Sequence, residues 1–476
     1  MVGTLMATGA ARLLRTSALC PTPACCAPYG SPHRLCGGCA CASRGRRGHT
    51  GCCIRPCARA GRRSVAAPAE RPALSWNAEV TIVGAGAAGL SLAAHLAEPP
   101  SDSGLRPSVL VVQAPPGPLR SPNRTWCFWE AGGGPYDHLL ESSWDRLRVY
   151  GPDGMVVDRP LGALRYKMLR SVQFEEAMSE RLLRSGVTMR QLTVEGVTDI
   201  GDEAVVWGHD ATGMASSLWS GLVFDSRPPR RLPAARTTLL QHFRGWFVRT
   251  SKPVFDPDAA ILMDFRIPQP AHGLAFGYVL PTSCNEALVE YTEFSPTALD
   301  GAAYRRALSH YCDNVLALGE YVVGEQEQGV IPMSDGNMSR RHAGRVFPIG
   351  TAGGATRPST GYTFAAIQRH SLHLARAVRA GRSPARVQAP HSLRARTMDA
   401  VLLRALDTGR VDGAQFFTRL FSSVPAERVL RFLDGSTSLW EDIGVGLRTP
   451  AAPMLRSLLD LPLLPRSVPT SWPVNR

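Results

Sequence analysis

The stretch from Leu288 to Ser295, LVEYTEFS, carries two carboxylates among apolar and aromatic neighbours. Its apolar and aromatic composition predicts a strand. Alternate residues of a strand share a face, so Glu290 lies with Leu288, Thr292 and Phe294. Glu293 lies opposite, with Val289 and Tyr291, and is expected on an outer face or in an ion pair. A carboxyl among apolar groups loses the hydration that stabilises its anion, so it stays protonated near neutral pH. The chemistry open to Glu290 is therefore general-acid catalysis in an oily place. The ordinary fate of a strand glutamate is a solvated surface, and both residues are weighed against that.

The elements that must position such an acid begin at Val80. A β-branched strand, Val80 to Val83, runs into Gly84-Ala85-Gly86-Ala87-Ala88-Gly89 and opens an Ala/Leu helix. In this context Gly84 permits a tight turn, Gly86 lets a pyrophosphate approach the backbone, and Gly89 lets helix and strand pack closely. The helix N-terminus then faces the phosphates. A second strand, Ser108 to Gln113, ends in Gln113 where an acid normally holds the ribose hydroxyls. Gln113 can bond a hydroxyl, but without charge.

A second segment, Phe347 to Phe364 (FPIGTAGGATRPSTGYTF), reads as strand, turn and the start of a helix near Thr363. It resembles the second FAD signature of aromatic-hydroxylase-like flavoproteins. Gly350, Pro358 and Gly361 match, while Thr351 replaces the acid of the usual Gly-Asp pair. Two such segments favour FAD over a nicotinamide dinucleotide. The expected cofactor contacts are Gly84, Gly86, Ala87, Gly89, Gln113, Arg124, Gly350, Thr351, Gly353, Pro358, Gly361 and Tyr362.

Between these segments the sequence is rich in strands, with a hairpin around Pro152-Asp153-Gly154. The expected fold is α/β (α+β overall). It comprises a Rossmann-like FAD-binding domain of the aromatic-hydroxylase/glutathione-reductase type, an inserted β-rich substrate domain and a C-terminal helical segment. Residues 72–150, part of 151–335 and 336–385 are assigned to FAD binding, the rest of 151–335 to the substrate domain, and 386–476 to the C-terminal helices.

Charge is unevenly placed. The net charge is +14, yet residues 1–69 contain ten arginines and neither Asp nor Glu. The basic balance belongs to this tail and gives no support to nucleic-acid binding by the body. Arg-rich, acid-poor composition predicts a transit peptide over residues 1–71. Nine of the 12 cysteines fall between Cys20 and Cys57 at irregular spacing, unlike a zinc site, and no metal is expected. No apolar run reaches the length of a membrane-spanning helix. Two amphipathic stretches, Met398 to Leu406 and Met454 to Pro465, suit either the core or a membrane surface.

Seven segments together resemble the lycopene cyclase family: NRTWCFW from Asn123, QHFRGWFV, LMDFR, YVLP, LVEYTEFS, GVIPM and PSTGYTF. The resemblance covers roughly Val80 to Leu464 and is closest to the β-ring-forming branch. It implies a redox-neutral isomerisation of lycopene or other linear-ended carotenes. The reaction needs reduced FAD, with NADPH as the electron source, at a plastid membrane face and near other enzymes of the pathway. It also implies that Glu290 is the general acid. Plant members carry two adjacent glutamates here, and Tyr291 stands at the second, which leaves Glu293 or Glu327 as alternatives. Glu327 is further expected to shape the site or take the ring proton. Trp126, Phe128, Trp129, Trp246, Tyr291 and Tyr362 are the aromatic candidates for lining the substrate tunnel and stabilising a cation. Arg227 is assigned to a turn or to the nucleotide. Rival readings are an ε-ring cyclase, a flavin monooxygenase such as a carotenoid epoxidase, and a carotenoid- or flavin-binding protein without turnover.

Overall fold

The computed structural model describes residues 76–99 and 106–469. The expected transit peptide, residues 1–71, lies outside the described residues. The apolar run at Val80 builds the centre of a seven-stranded sheet. Strand Trp76–Val83 pairs in parallel with Val109–Gln113 on one side and Ala215–Asp225 on the other. Thr188–Gln191 extends the parallel edge. Val80 and Ile82 pack into one core layer and Val83 into another, as a strand covered on both faces requires. Helices Ala87–Ala97, Ser171–Arg184 and Phe364–Arg379 bury their apolar stripes in the first of these layers.

The long strand Ala215–Asp225 divides one edge between two partners. Residues 215–220 pair antiparallel with Glu203–His209, and residues 223–225 pair in parallel with Val346–Pro348. The second glycine-rich segment is thereby delivered beside the first, although some 260 residues separate them.

A second seven-stranded sheet has the spatial order Tyr321–Ser334, Thr238–Thr250, Glu286–Ser295, Leu274–Pro281, Ala259–Asp264, Arg146–Tyr150, Val156–Pro160. One face is covered by helices Leu393–Asp407, Gly413–Ser423 and Ala426–Asp434. The other lies under helix Gly301–His310. A three-stranded sheet, Thr125–Ala131, Leu164–Arg170 and Leu140–Trp144, joins the two layers. It gives Trp129, Trp144 and Tyr166 to the second sheet's core and Phe128 and Leu169 to the first's.

The chain crosses between the sheets repeatedly. The expected boundary at 150 cuts the hairpin Arg146–Tyr150/Val156–Pro160, which lies wholly in the second sheet. The strands between 188 and 225 return to the first. The Met398–Leu406 stretch faces the core, since Ala400, Leu403, Ala405 and Leu406 are buried. No helix among the described residues is long and apolar enough to cross a membrane.

Candidate functional site

The dinucleotide cradle is shaped by what glycine lacks. Gly84 has φ +101°, and a Cβ there would meet Ser226 Oγ at 2.1 Å. A Cβ on Gly89 would meet the Gly84 carbonyl oxygen at 1.9 Å. Gly86 differs: the nearest atom to an added Cβ is Glu175 Oε1 at 3.9 Å. The protein itself does not require glycine there, so the open space lies in front of the helix. Helix Ala87–Ala97 starts without a side-chain cap and without an acid in its first turn. Its free N–H groups are a ready anion site. Gly350, at φ +62°, would bring a Cβ to 3.0 Å from Ala88 Cβ, so the two predicted segments meet at this point.

Several buried polar atoms around the cradle have no hydrogen-bond partner among the described residues: Arg124 Nε, Thr360 Oγ1 and Gln241 Oε1. A Cβ on Gly361 would lie 2.0 Å from Gln241 Oε1, which places that amide against the loop. Hydroxyls of Thr363, Thr356 and Thr351 form a chain with links of 3.1 and 3.2 Å. Gly353 is closed off by the Pro348 carbonyl, and Gln113 and Pro358 are half-buried. Glu175, beside Arg120 and Arg124, is pushed up to about 7 by burial, which the two arginines oppose. Orphaned donors and acceptors beside an uncapped helix fit a polar, phosphate-bearing ligand of dinucleotide size. Arg227 holds the turn instead, with bonds to Asp225 and the Val194 carbonyl.

The acid site sits on one rung of the second sheet. Tyr278, Glu290, Gly245 and Glu327 are register partners on four neighbouring strands. Opposed residues share a face, so two carboxyls flank a glycine. A Cβ on Gly245 would lie 2.8 Å from Leu288 Cδ1, 3.3 Å from Glu327 Cγ and 3.7 Å from Glu290 Cβ. The missing side chain leaves a slot between the acids.

Glu290 is 8% exposed. Among the described residues it accepts one hydrogen bond, from Thr292 Oγ1 at 2.5 Å, and pairs with no cation. Burial, then the neighbouring Glu327, push its carboxyl up to about 8, against the Thr292 bond. Glu327 is 9% exposed and accepts from Thr125 Oγ1 at 2.8 Å. Burial raises it too, while Thr125 and Arg170 oppose the rise.

Strand Thr125–Ala131 turns alternate residues to the acids. Thr125 bonds Glu327, and Cys127 and Trp129 line a small cavity with Tyr362. The Tyr166 hydroxyl lies 2.6 Å from that of Tyr278 and 3.0 Å from that of Tyr362. Trp129 meets Tyr362 edge to face at 4.6 Å and stacks on Tyr166 at 6.0 Å. Burial pushes the Cys127 thiol up to about 12. Around Glu290 the lining is thus polar in places but neutral, with aromatic faces available to a cation.

Other predicted residues fall elsewhere. Trp126 and Phe128 point the opposite way and pack on Phe364, with Trp126 also against Phe174. Phe128 and Phe364 nevertheless contribute to the lining of the small cavity. Trp246 and Tyr291 lie on the far face of the sheet, in the core under helix Gly301–His310. Glu293 is there too, and the expectation of an outer face is corrected: it is buried. Its Oε2 accepts from the Tyr291 hydroxyl at 2.9 Å, and its Oε1 lies 3.8 Å from His242 Nε2. His242 also meets the Tyr304 hydroxyl at 2.7 Å and Ser295 Oγ at 2.8 Å. Burial lowers the His242 pKa, with Glu293 opposing. This network is separated from Glu290 by the sheet and fixes the strand from behind. Sequence reasoning placed Thr292 beside Glu290 but missed Gly245, Thr125, Tyr166, Tyr278 and Cys127. A glycine inside an alternating strand was the one available signal.

The layered sheets and paired glycine segments define a Rossmann-like fold of the FAD-binding type. Solved structures agree on the fold. A p-nitrophenol 4-monooxygenase, PnpA, from Pseudomonas putida superposes with a TM-score of 0.53 at 18% identity, covering 81% of this chain and 98% of that one. A geranylgeranyl bacteriochlorophyll reductase-like protein from Thermoplasma acidophilum gives 0.55 at 12% identity, covering 81% and 100%. No match was found among the curated protein sequences. The sequence profile of the family described as "Lycopene cyclase protein" matches residues 79–459. The chain belongs to the lycopene cyclase family.

Proposed function

We propose that the chain is a lycopene β-cyclase, closing the linear ends of lycopene into β-ionone rings with no net redox change. Glu290 gives its proton to the terminal double bond. The neighbouring double bond attacks the resulting tertiary cation and forms a six-membered ring. A ring proton then leaves, and Glu327, across the Gly245 slot, is the group assigned to take it. One proton enters the hydrocarbon and one departs, so no electrons are transferred. The observation that carries this reading is Glu290: buried, unpaired with any cation, and holding its proton up to about pH 8. A monooxygenase needs no such acid.

We assign FAD to the cradle at Gly84–Gly89 and Gly350–Gly361, held by the helix N-terminus, Arg124 and the orphaned polar atoms of the loop. When bound and reduced, it supplies fixed negative charge in a low-dielectric pocket, where such charge stabilises a cation more than in water. NADPH is the assigned electron source. We assign the protein to the plastid, on a membrane face where its substrate dissolves; the Arg-rich, acid-poor stretch 1–71 supports this reading. The β-ring-forming branch, which the seven segments resemble, supports the β ring.

Gly86→Val tests the cofactor assignment. The substitution meets no protein atom closer than 3.9 Å at Cβ and suits the extended backbone of Gly86. It is expected to leave circular dichroism and melting unchanged while flavin absorbance is lost on purification. Retention of stoichiometric flavin would count against the cradle. The function itself is tested in bacteria that accumulate lycopene, with the chain expressed from Pro72 onward. Conversion to β-carotene is expected. An untouched lycopene pool alongside flavin-loaded protein would end the cyclase reading, and δ- or ε-carotene would end the ring assignment.

A further inference from the structure

Helix Ala451–Asp460 is built the wrong way round for a protein surrounded by water. Its buried residue is Ser457, whose hydroxyl donates to the Pro453 carbonyl and receives a bond from Arg410. Leu455, Leu458 and Leu459 face outward, and Leu463 just beyond is 83% exposed. The preceding helix, Leu439–Gly446, anchors itself in the core through one apolar side chain, Val445, and otherwise repeats the inversion. It buries Asp442, which receives a bond from Thr437 and pairs with Arg394 at 3.0 Å. It exposes Leu439, Ile443 and Leu447, with Trp440 79% exposed. Both sets recur at helical spacing, so each helix presents one apolar stripe. Large apolar side chains left in water forgo about 25 cal/mol per Å² of burial, and such faces mark contact sites.

We propose that these two helices are the face by which the protein lies on an anionic lipid bilayer. The proposal rests on the reading that the substrate is a membrane-dissolved hydrocarbon. The charges choose the occupant. The acids of the segment are each neutralised within the protein: Glu441 by Arg431 at 2.7 Å, Asp442 by Arg394 and Asp460 by Arg410 at 2.5 Å. Arg448 and Arg456 have no acidic partner among the described residues. The face therefore offers leucines and a tryptophan with uncompensated positive charge, the pattern of an interfacial helix on anionic lipid. A second copy of the chain would bring like charges together. Helices of 8 and 10 residues are too short to span a bilayer, which fits contact rather than insertion. The Met398–Leu406 stretch, the other amphipathic candidate, is excluded because its apolar side is already in the core.

The test compares the full chain with the double variant Trp440→Glu, Leu459→Glu. Each is floated with vesicles of phosphatidylcholine, with and without phosphatidylglycerol. The parent is expected to float, more so with phosphatidylglycerol, and the variant to float at least tenfold less. Turnover of vesicle-borne lycopene should fall with it, while turnover of detergent-dispersed lycopene stays at the parent level. A parent that does not float, or a variant that floats equally, overturns the face. So does a parent found as a dimer that the variant dissolves without change in flotation. Flotation as expected with no turnover in detergent would instead overturn the cyclase reading and leave the face standing.

Discussion

Glu290→Gln leaves the protein folded and flavin-loaded and lowers cyclisation by about 10²- to 10⁴-fold, the usual contribution of a positioned general acid. Glutamine keeps the shape of the side chain and can still accept the Thr292 bond at Oε1, but it has no proton to give. Pigment extracted from lycopene-accumulating cells should stay red with the variant and turn yellow with the parent. If both make β-carotene equally, Glu290 is not the acid and Glu327 takes its place. The parent's activity should fall as pH rises through about 8, where Glu290 loses its proton. Stability follows the same group. Its folded-state pKa stands above the ordinary carboxyl value of 4.5. Its contribution is fully present below that value and is lost as pH rises through about 8. Glutamine is neutral throughout. Relative to the parent, the variant should therefore melt higher at pH 8.5 than at pH 5, in scans of both proteins.

Gly245→Val should lower turnover by about 10²-fold or more, the scale associated with displacing a reacting group by an ångström. The new Cβ falls between the two carboxyls, and the branched methyls fill the slot that the glycine leaves. Leu288 Cδ1, the closest contact, is the end of a flexible side chain and can move. Valine suits a strand better than glycine does. Melting temperature should hold or rise and flavin content should not change, while activity is lost. Gly245→Ala should fall between. Turnover at the parent level in the valine variant would show that substrate does not enter between Glu290 and Glu327.

What could be read in the sequence was whatever depends on neighbours along the chain. The turn at Gly84, the Ala/Leu helix that the glycine segment opens and the two faces of LVEYTEFS follow from local spacing, and the structure keeps each. The resemblance at seven segments supplied Glu327, which no periodicity would have singled out. What could not be read depends on which strands become neighbours. Gly245 matters because Thr238–Thr250 lies between Glu286–Ser295 and Tyr321–Ser334. Nothing within any one strand announces that order. The same holds for Trp126 and Phe128: the resemblance marked their segment, but which of its residues would meet Phe364 and which Glu327 depends on the later elements that pack against it. Glu293 was misplaced because a strand with both faces covered gives a glutamate no outer surface, and that cover comes from the later helix Gly301–His310.

One contact ties the flavin loop to the end of the chain. Arg357, three residues before the end of the turn at Thr360, donates from Nε to Asp399 Oδ1 at 2.9 Å, and Ser359 donates to the same oxygen at 2.7 Å. Both partners are almost wholly buried, where separating the charges is costly. Asp399 belongs to helix Leu393–Asp407, which packs against helix Ala451–Asp460. Reciprocity then holds between distant events. Whatever free energy a ligand in the loop lends to the docking of these helices, the docked helices return to the affinity for that ligand. A surface that steadies the last helices would be felt as tighter cofactor retention. Cofactor loss would be felt as a looser grip on the surface.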